Sequence, residues 1–254
     1  MQNNALERLS SGNRINRAGD DAAGLAISEK LKANIRSIKQ ATRNASDGIS
    51  LVQVAEGAMN EVSNIMVRLR ELSIQGASDT IGDVERGFID KEVTGLKAEI
   101  NRISGTTEFN GRKLLNGDGT NIDIQVGLKN NPMEDRLTFN VKNLQTDLTA
   151  LNLMDVNTVT KEGSQNNLAL IDASIQKINE NRSELGALQN RLQSTINNQM
   201  IYRENLEGAN SRIRDTDVAE ETAELTRTNI LSQAGISVLS QANQNSSMAL
   251  KLLG

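Results

Sequence analysis

Apolar residues recur every seven positions along the first flank of the chain: Leu31, Ile38, Ala45, Val52, Met59 and Met66, with Ile35 and Ile49 adding the second seam position. After a shift of register, Ala55, Val62 and Leu69 continue the stripe. This period predicts a long helix that offers one seam to a partner, as in a coiled coil. Asp20 and Asp21 stand just before it, where a helix start favours a capping carboxylate. The far flank answers the first. Ile171, Ile178, Leu185 and Leu192 keep the same spacing, with Leu168, Ile175, Leu188 and Ile196 beside them, while Arg182 and Gln189 interrupt the seam. The helical stretches 27–73 and 164–210 are equal in length, about 70 Å each as helix. Two matched stripes around a different middle section predict an antiparallel pair, with both chain ends at one end of the molecule.

Val84, Phe88, Val93, Leu96, Ile100 and Ile103 suggest a further helix over 83–104, with Gly76 and Gly82 bracketing the turn before it. In the middle section, Ile122, Ile124 and Val126 alternate with polar residues, and so do Leu137, Phe139 and Val141. The turn-rich run 127–136, which holds the single proline, Pro132, joins them. This predicts a β-hairpin within about 105–160, capping the distal end of the bundle. The tail is a third region. Leu225, Leu231, Val238 and Ala242 suggest a helix, but Ile230, Ile236 and Leu239 lie on other faces. A helix apolar on several sides needs burial on several sides, which points to other subunits. The predicted fold class is therefore mainly α: an elongated antiparallel helical bundle with a small β-hairpin region. Its parts are a connector at 1–21, a rod at 22–214 and a terminal helix at 215–254.

Composition narrows the function. Aromatic residues are 2% of the chain, so the core must be aliphatic, which suits long helices with thin seams. There is no Cys and no His, which removes thiol and imidazole nucleophiles, histidine bases, thiolate zinc sites and disulfides. The net charge of -4 is opposite to that of a phosphate-binding chain, so no nucleic-acid role is expected. No window is apolar for long enough to span a membrane, and residues 1–20 are too polar for a secretory signal peptide. A chain of this kind that leaves the cell needs a dedicated exporter.

The remaining candidate sites have simpler readings. Asp20-Asp21 is a helix-start charge unless a pocket perturbs it. The loop Asn116–Asp123 resembles a calcium loop, but its glycines are misplaced and no Glu stands at the twelfth position, so it reads as a turn beside the hairpin. Gly12, Gly19 and Gly24 lack phosphate-loop spacing and read as a bent connector. Met59 and Met66 are seam residues. No catalytic, cofactor or metal site is expected, and the chain is read as a non-enzyme.

Several longer motifs then carry a resemblance. Leu6-Glu-Arg-Leu-Ser-Ser-Gly12, Arg14-Ile-Asn-Arg-Ala-Gly-Asp-Asp-Ala-Ala-Gly24 and Asn44-Ala-Ser-Asp-Gly48 come in that order. Arg70-Glu-Leu72, Glu108-Phe-Asn-Gly111, Ser232-Gln-Ala-Gly235 and Gln241-Ala-Asn243 follow. Over essentially its whole length the chain resembles bacterial flagellin, in a short form without variable outer domains. The resemblance implies a secreted structural subunit of the motility filament. Terminal helices would form an inner tube from residues 1–21 and 215–254, and 22–214 would form a shell around it. It also implies other subunits, a type III export chaperone and a filament cap as partners. Polymerisation would fall to the tail helix with Leu225, Leu231, Val238 and Leu239. Arg68, Glu71 and Leu72 match a shell-helix surface read by an animal Toll-like receptor, whereas Val67 departs from the Gln often found there. Relatives carry a further helical stretch before the segment matching Asn3–Leu6, whereas here Met1 precedes it almost directly. A chain with this start is expected to polymerise poorly. The rival readings are a hook–filament junction protein and a coiled-coil signalling or scaffold module, the latter requiring a tip without strands.

Overall fold

The computed structural model describes residues 2–117 and 120–253, with side chains placed for 3–117 and 120–242. Met1 and part of the Asn116–Asp123 turn fall outside the described residues. The elements are α1 (Gln2–Ser11), α2 (Ala22–Gly76), α3 (Asp83–Thr106), β1 (Glu108–Phe109) and β2 (Arg112–Lys113). They continue with β3 (Ile122–Gln125), β4 (Arg136–Phe139), α4 (Lys161–Arg214) and α5 (Val218–Leu253). The long helices begin and end a few residues beyond the expected stretches, and their starts are capped by side chains. Asp21 Oδ1 accepts the N–H of Gly24, 2.9 Å away, which satisfies an orphan donor of the first turn of α2.

The chain forms two compact units, Ile38–Met200 and a second made of Met1–Ser37 with Ile201–Gly254. The division cuts α2 and α4, so 22–37 and 201–214 group with the terminal segments rather than with the rest of the expected rod. Within Ile38–Met200, two apolar clusters form the core. One joins Ala45–Met59 of α2 to Leu185, Leu188 and Leu192 of α4; the other joins Val62–Leu72 to Ile171 and Ile178. The numbers rise along α2 as they fall along α4, which makes the pair antiparallel. α3 enters the second cluster through Ile89, Val93 and Ile100.

One face of α3 differs from the expectation. Val84 is 69% and Phe88 63% exposed, while Arg86, Ile89, Val93, Ile100 and Ser104 face inward. The helix is phased by Arg86, whose buried guanidinium binds the end of α2 and the turn after it. Its Nε donates to Gly76 O (2.9 Å), Nη2 to Ser78 O (3.0 Å) and Nη1 to Asp83 Oδ1 (2.8 Å).

β3 and β4 pair antiparallel, with Ile122 opposite Phe139 and Gln125 opposite Arg136. Ile124, Leu137 and Phe139 turn into the core. The strand β3 crosses α2 closely. Asn44 Nδ2 donates to Gln125 O at 3.0 Å, and a Cβ on Gly48 would stand 2.6 Å from Ile124 Cδ1. The motif Asn44–Gly48 is thus a docking seat for the hairpin. A second, smaller hairpin, β1–β2, was not anticipated. Asn110 (φ 50°) and Gly111 (φ 77°) form its turn, the left-handed pair that a two-residue hairpin requires. The segment 141–158 is laid over α3 and α4. Lys97 Nζ donates to the carbonyls of Met154 (2.7 Å) and Val156 (2.8 Å), and Lys177 Nζ to that of Ala150 (2.8 Å).

Candidate assembly surface

The connector between α1 and α2 explains one of the motifs residue by residue. Gly12 ends α1 with φ 67°, a conformation that glycine adopts without strain. Asn13 and Asp215 form an isolated antiparallel bridge. Arg14 N donates to Arg214 O (2.6 Å), Thr216 N to Gly12 O (3.1 Å) and Arg14 Nη2 to Ile213 O (2.8 Å). Ile15 is buried, and Arg17 grips Glu7 through Nε (3.0 Å) and Nη2 (3.1 Å). Asp20 accepts the N–H groups of Arg17 and Asn16, each at 3.0 Å, and these bonds hold its carboxyl below the usual range. Here the chain leaves α4 for α5 beside the point where it leaves α1 for α2.

α1 packs against α5, with Ala5 buried and Arg8 3.7 Å from Glu221. It can cover only part of its partner, because α1 has 10 residues and α5 has 36. Every described side chain from Leu231 to Ala242 is exposed. Ile230, Leu231, Ile236, Val238 and Leu239 are each at least 59% exposed. At about 100° per residue these five lie around most of the helix, so one neighbour could not cover them all. Leu225 is half-buried. An open groove of about 580 Å³ runs along the same helix past Ala219, Ala223, Ile230 and Leu231.

Of the seam residues, Ile38, Val52, Met59, Met66, Ile171, Ile178, Leu185 and Leu192 are buried, and Leu31, in the other unit, is half-buried. The shell-helix patch is altered. Arg68 and Glu71 are exposed, but Leu72 is 1% exposed and belongs to the core, so it offers no contact surface. Leu72 follows Leu69 by three positions on the inward face, which is the physical reason. Glu92 of α3, exposed beside them, pairs with Arg68 instead. Arg68 Nη1 meets Glu71 Oε2 at 3.0 Å and its Nε meets Glu92 Oε1 at 2.9 Å, and these two bonds raise the guanidinium above its usual pKa. No sequence signal marked Glu92, because it comes from another helix.

No helix among the described residues is long and apolar enough to cross a membrane. Residues 1–120 match the bacterial flagellin N-terminal helical region, and residues 168–253 match the bacterial flagellin C-terminal helical region. A flagellin of Halalkalibacterium halodurans is 47% identical, over 98% of this chain and 90% of that protein. A flagellin of Bacillus subtilis and the flagellar filament 33 kDa core protein of Treponema phagedenis are each 41% identical, over 98% of this chain and 91% of theirs. Among solved structures, a Bacillus cereus flagellin superposes with a TM-score of 0.55 at 31% identity, over 62% of this chain and 88% of that one. A flagellar hook-associated protein of Vibrio parahaemolyticus shares the fold, with a TM-score of 0.63 at 13% identity, over 77% of this chain and all of that one. With both terminal helical regions matched in one chain, and whole-length relatives of the same kind, the chain belongs to the bacterial flagellin family.

Proposed function

We propose that this chain is a structural subunit of a bacterial flagellar filament, exported from the cell and assembled with copies of itself. The observation that carries this reading is the uncovered apolar circumference of α5 from Ile230 to Leu239. Fully burying a side chain of this size contributes about 1.5–3 kcal/mol, so these residues supply apolar surface that favours contact between subunits. Identity of 41–47% to filament proteins, against 13% to the hook-associated protein, favours the filament over the hook–filament junction. Before assembly the same face is the natural seat for an export chaperone, and the growing end would require a cap.

The test is seeded growth. Sheared filaments are mixed with parent protein or with the double variant Leu231→Asp/Val238→Asp, then sedimented and imaged by negative stain. Both residues are exposed in the subunit, so circular dichroism should be unchanged while the variant stays in the supernatant. A variant that elongates seeds like the parent would overturn the assignment of α5 to the contact.

A second reading concerns recognition by an animal Toll-like receptor through Arg68 and Glu71, now joined by Glu92. The feature favouring it is an exposed guanidinium held in place by two carboxylates. In a cell reporter assay Arg68→Ala should signal more weakly than the parent, and equal signals would remove the receptor from the list of partners.

A further inference from the structure

The core of Ile38–Met200 is interrupted. On α2 the break between its two apolar clusters falls between Met59 and Val62, and on α4 between Leu185 and Ile178. Asn181 lies in that break. It is 6% exposed, and its Nδ2 is buried with no hydrogen-bond partner. Thr146 is fully buried, and its Oγ1 is in the same condition.

Several contacts bracket the stretches that hold these two groups. Segment 144–151 runs against the direction of α4. At one end Leu144 lines a cavity together with Leu185 and Leu188. At the other, Lys177 Nζ donates to Ala150 O at 2.8 Å and Ser174 Oγ to Leu151 O at 2.7 Å. Thr146 falls between these fixed points on the segment, as Asn181 falls between Leu185 and Lys177 on α4. On its other side Thr146 is tied to α3, because Leu115 O accepts both the N–H of Thr146 (3.0 Å) and the hydroxyl of Ser104 (2.9 Å). The break in the apolar core is therefore a polar layer that touches α3, α4 and the overlying segment.

An unpaired amide and an unpaired hydroxyl in an apolar interior both carry a desolvation cost. The amide nitrogen can only donate, whereas the hydroxyl can donate or accept. One water that accepts from Asn181 and donates to Thr146 satisfies both, and buried waters characteristically sit on groups that are otherwise unsatisfied. The cavity beside Leu144, about 260 Å³, is lined by Glu184 and Leu185, about one helical turn from Asn181. We propose that Asn181 Nδ2 and Thr146 Oγ1 hold an internal water molecule, forming a hydrated layer that fixes the register of α4 in the bundle. A single polar residue in an apolar helix seam serves register in the same way, at some cost in stability.

The test combines a double-mutant cycle with crystallography. Asn181→Leu and Thr146→Val each leave the other group and the water short of a partner, so each should lower Tm by about 3 °C. The double variant removes both polar groups and should recover at least the parent Tm. Strictly additive losses would overturn the proposal. A crystal structure of the parent chain, which needs no variant to fold, should show a solvent peak within hydrogen-bonding distance of both atoms. Coupling without that peak would mean a direct Asn181–Thr146 bond and would equally overturn it.

Discussion

Replacing Arg86 should damage this protein more than replacing any exposed charge. The residue is 7% exposed, and its guanidinium donates to the carbonyls of Gly76 and Ser78 at 2.9 and 3.0 Å. The Gly76 carbonyl is at the end of α2, where helix geometry leaves oxygens without partners, and the Ser78 carbonyl, in the turn before α3, also accepts a long bond from Ile81 N at 3.5 Å. A hydrogen bond to a charged group contributes about 1.5–3 kcal/mol, so the two together contribute roughly 3–6 kcal/mol. The ion pair to Asp83 adds little, because that carboxylate is 91% exposed and solvent screens it. For a chain of this size 1 kcal/mol shifts Tm by about 2–4 °C, so Arg86→Ala should lower Tm by roughly 10 °C, read by far-ultraviolet circular dichroism. Asp83→Ala should lower it by no more than about 2 °C. Arg86→Lys should fall between the two, since an ammonium cannot reproduce the planar fork. Amide exchange in residues 77–82 should accelerate in Arg86→Ala. A Tm loss for Arg86→Ala no larger than that for Asp83→Ala would show that the charge pair, not the carbonyl capping, holds this turn.

Arg86 also shows where the sequence could and could not be read. The two long helices and the β3–β4 hairpin were legible because each buries a stripe of fixed period, seven in the helices and two in the strands. α3 was legible as a helix but not in its orientation. Val84, Phe88, Val93 and Ile100 do not share one face, and the choice among faces was made by a charged residue reaching carbonyls ten and eight positions away. Such a contact leaves no periodic trace.

The surfaces divide in the same way. The circumference of α5 was readable, because an apolar residue on every side of a helix is a property of the helix alone. Leu72 entered the patch through the motif resemblance, although its spacing from Leu69 marks it as inward, where it is buried. Glu92 and the close approach of Ile124 to Gly48 could not be read, since both depend on elements distant in the chain. Asn44–Gly48 was recognisable as a motif, but its reason emerges only when β3 is laid across it.

Three further outcomes follow from the geometry. Met133 is 93% exposed while Met59 and Met66 are 0% exposed, so dilute peroxide should oxidise Met133 first in peptide mass maps, and equal rates would contradict this packing. Asp20, Glu29 and Asp79 all titrate below their ordinary values, through bonds from the Arg17 backbone, Arg214 and Lys161 respectively. A depressed carboxyl pKa gives stability that is full above the unfolded value and lost as pH falls through the folded one, so stability should drop in acid below about pH 4. The Tm gap between parent and Asp20→Asn should accordingly narrow as pH falls towards that acid range, and a pH-independent gap would exclude the carboxylate charge as its source. Gly48 decides how closely β3 can lie on α2. Alanine there gains helix propensity of up to about 1 kcal/mol but presses on Ile124 at Cδ1 (2.6 Å), the movable tip, and more lightly at Cγ2 (3.3 Å) and Cγ1 (3.4 Å), so the two effects offset and Gly48→Ala should be nearly neutral. Valine adds two methyl groups to a contact already at 2.6 Å and should cost about 1–3 kcal/mol by overpacking. Equal Tm values for the two variants would mean that the hairpin can lift off α2 without penalty, and that its seat on Asn44–Gly48 contributes nothing to the fold.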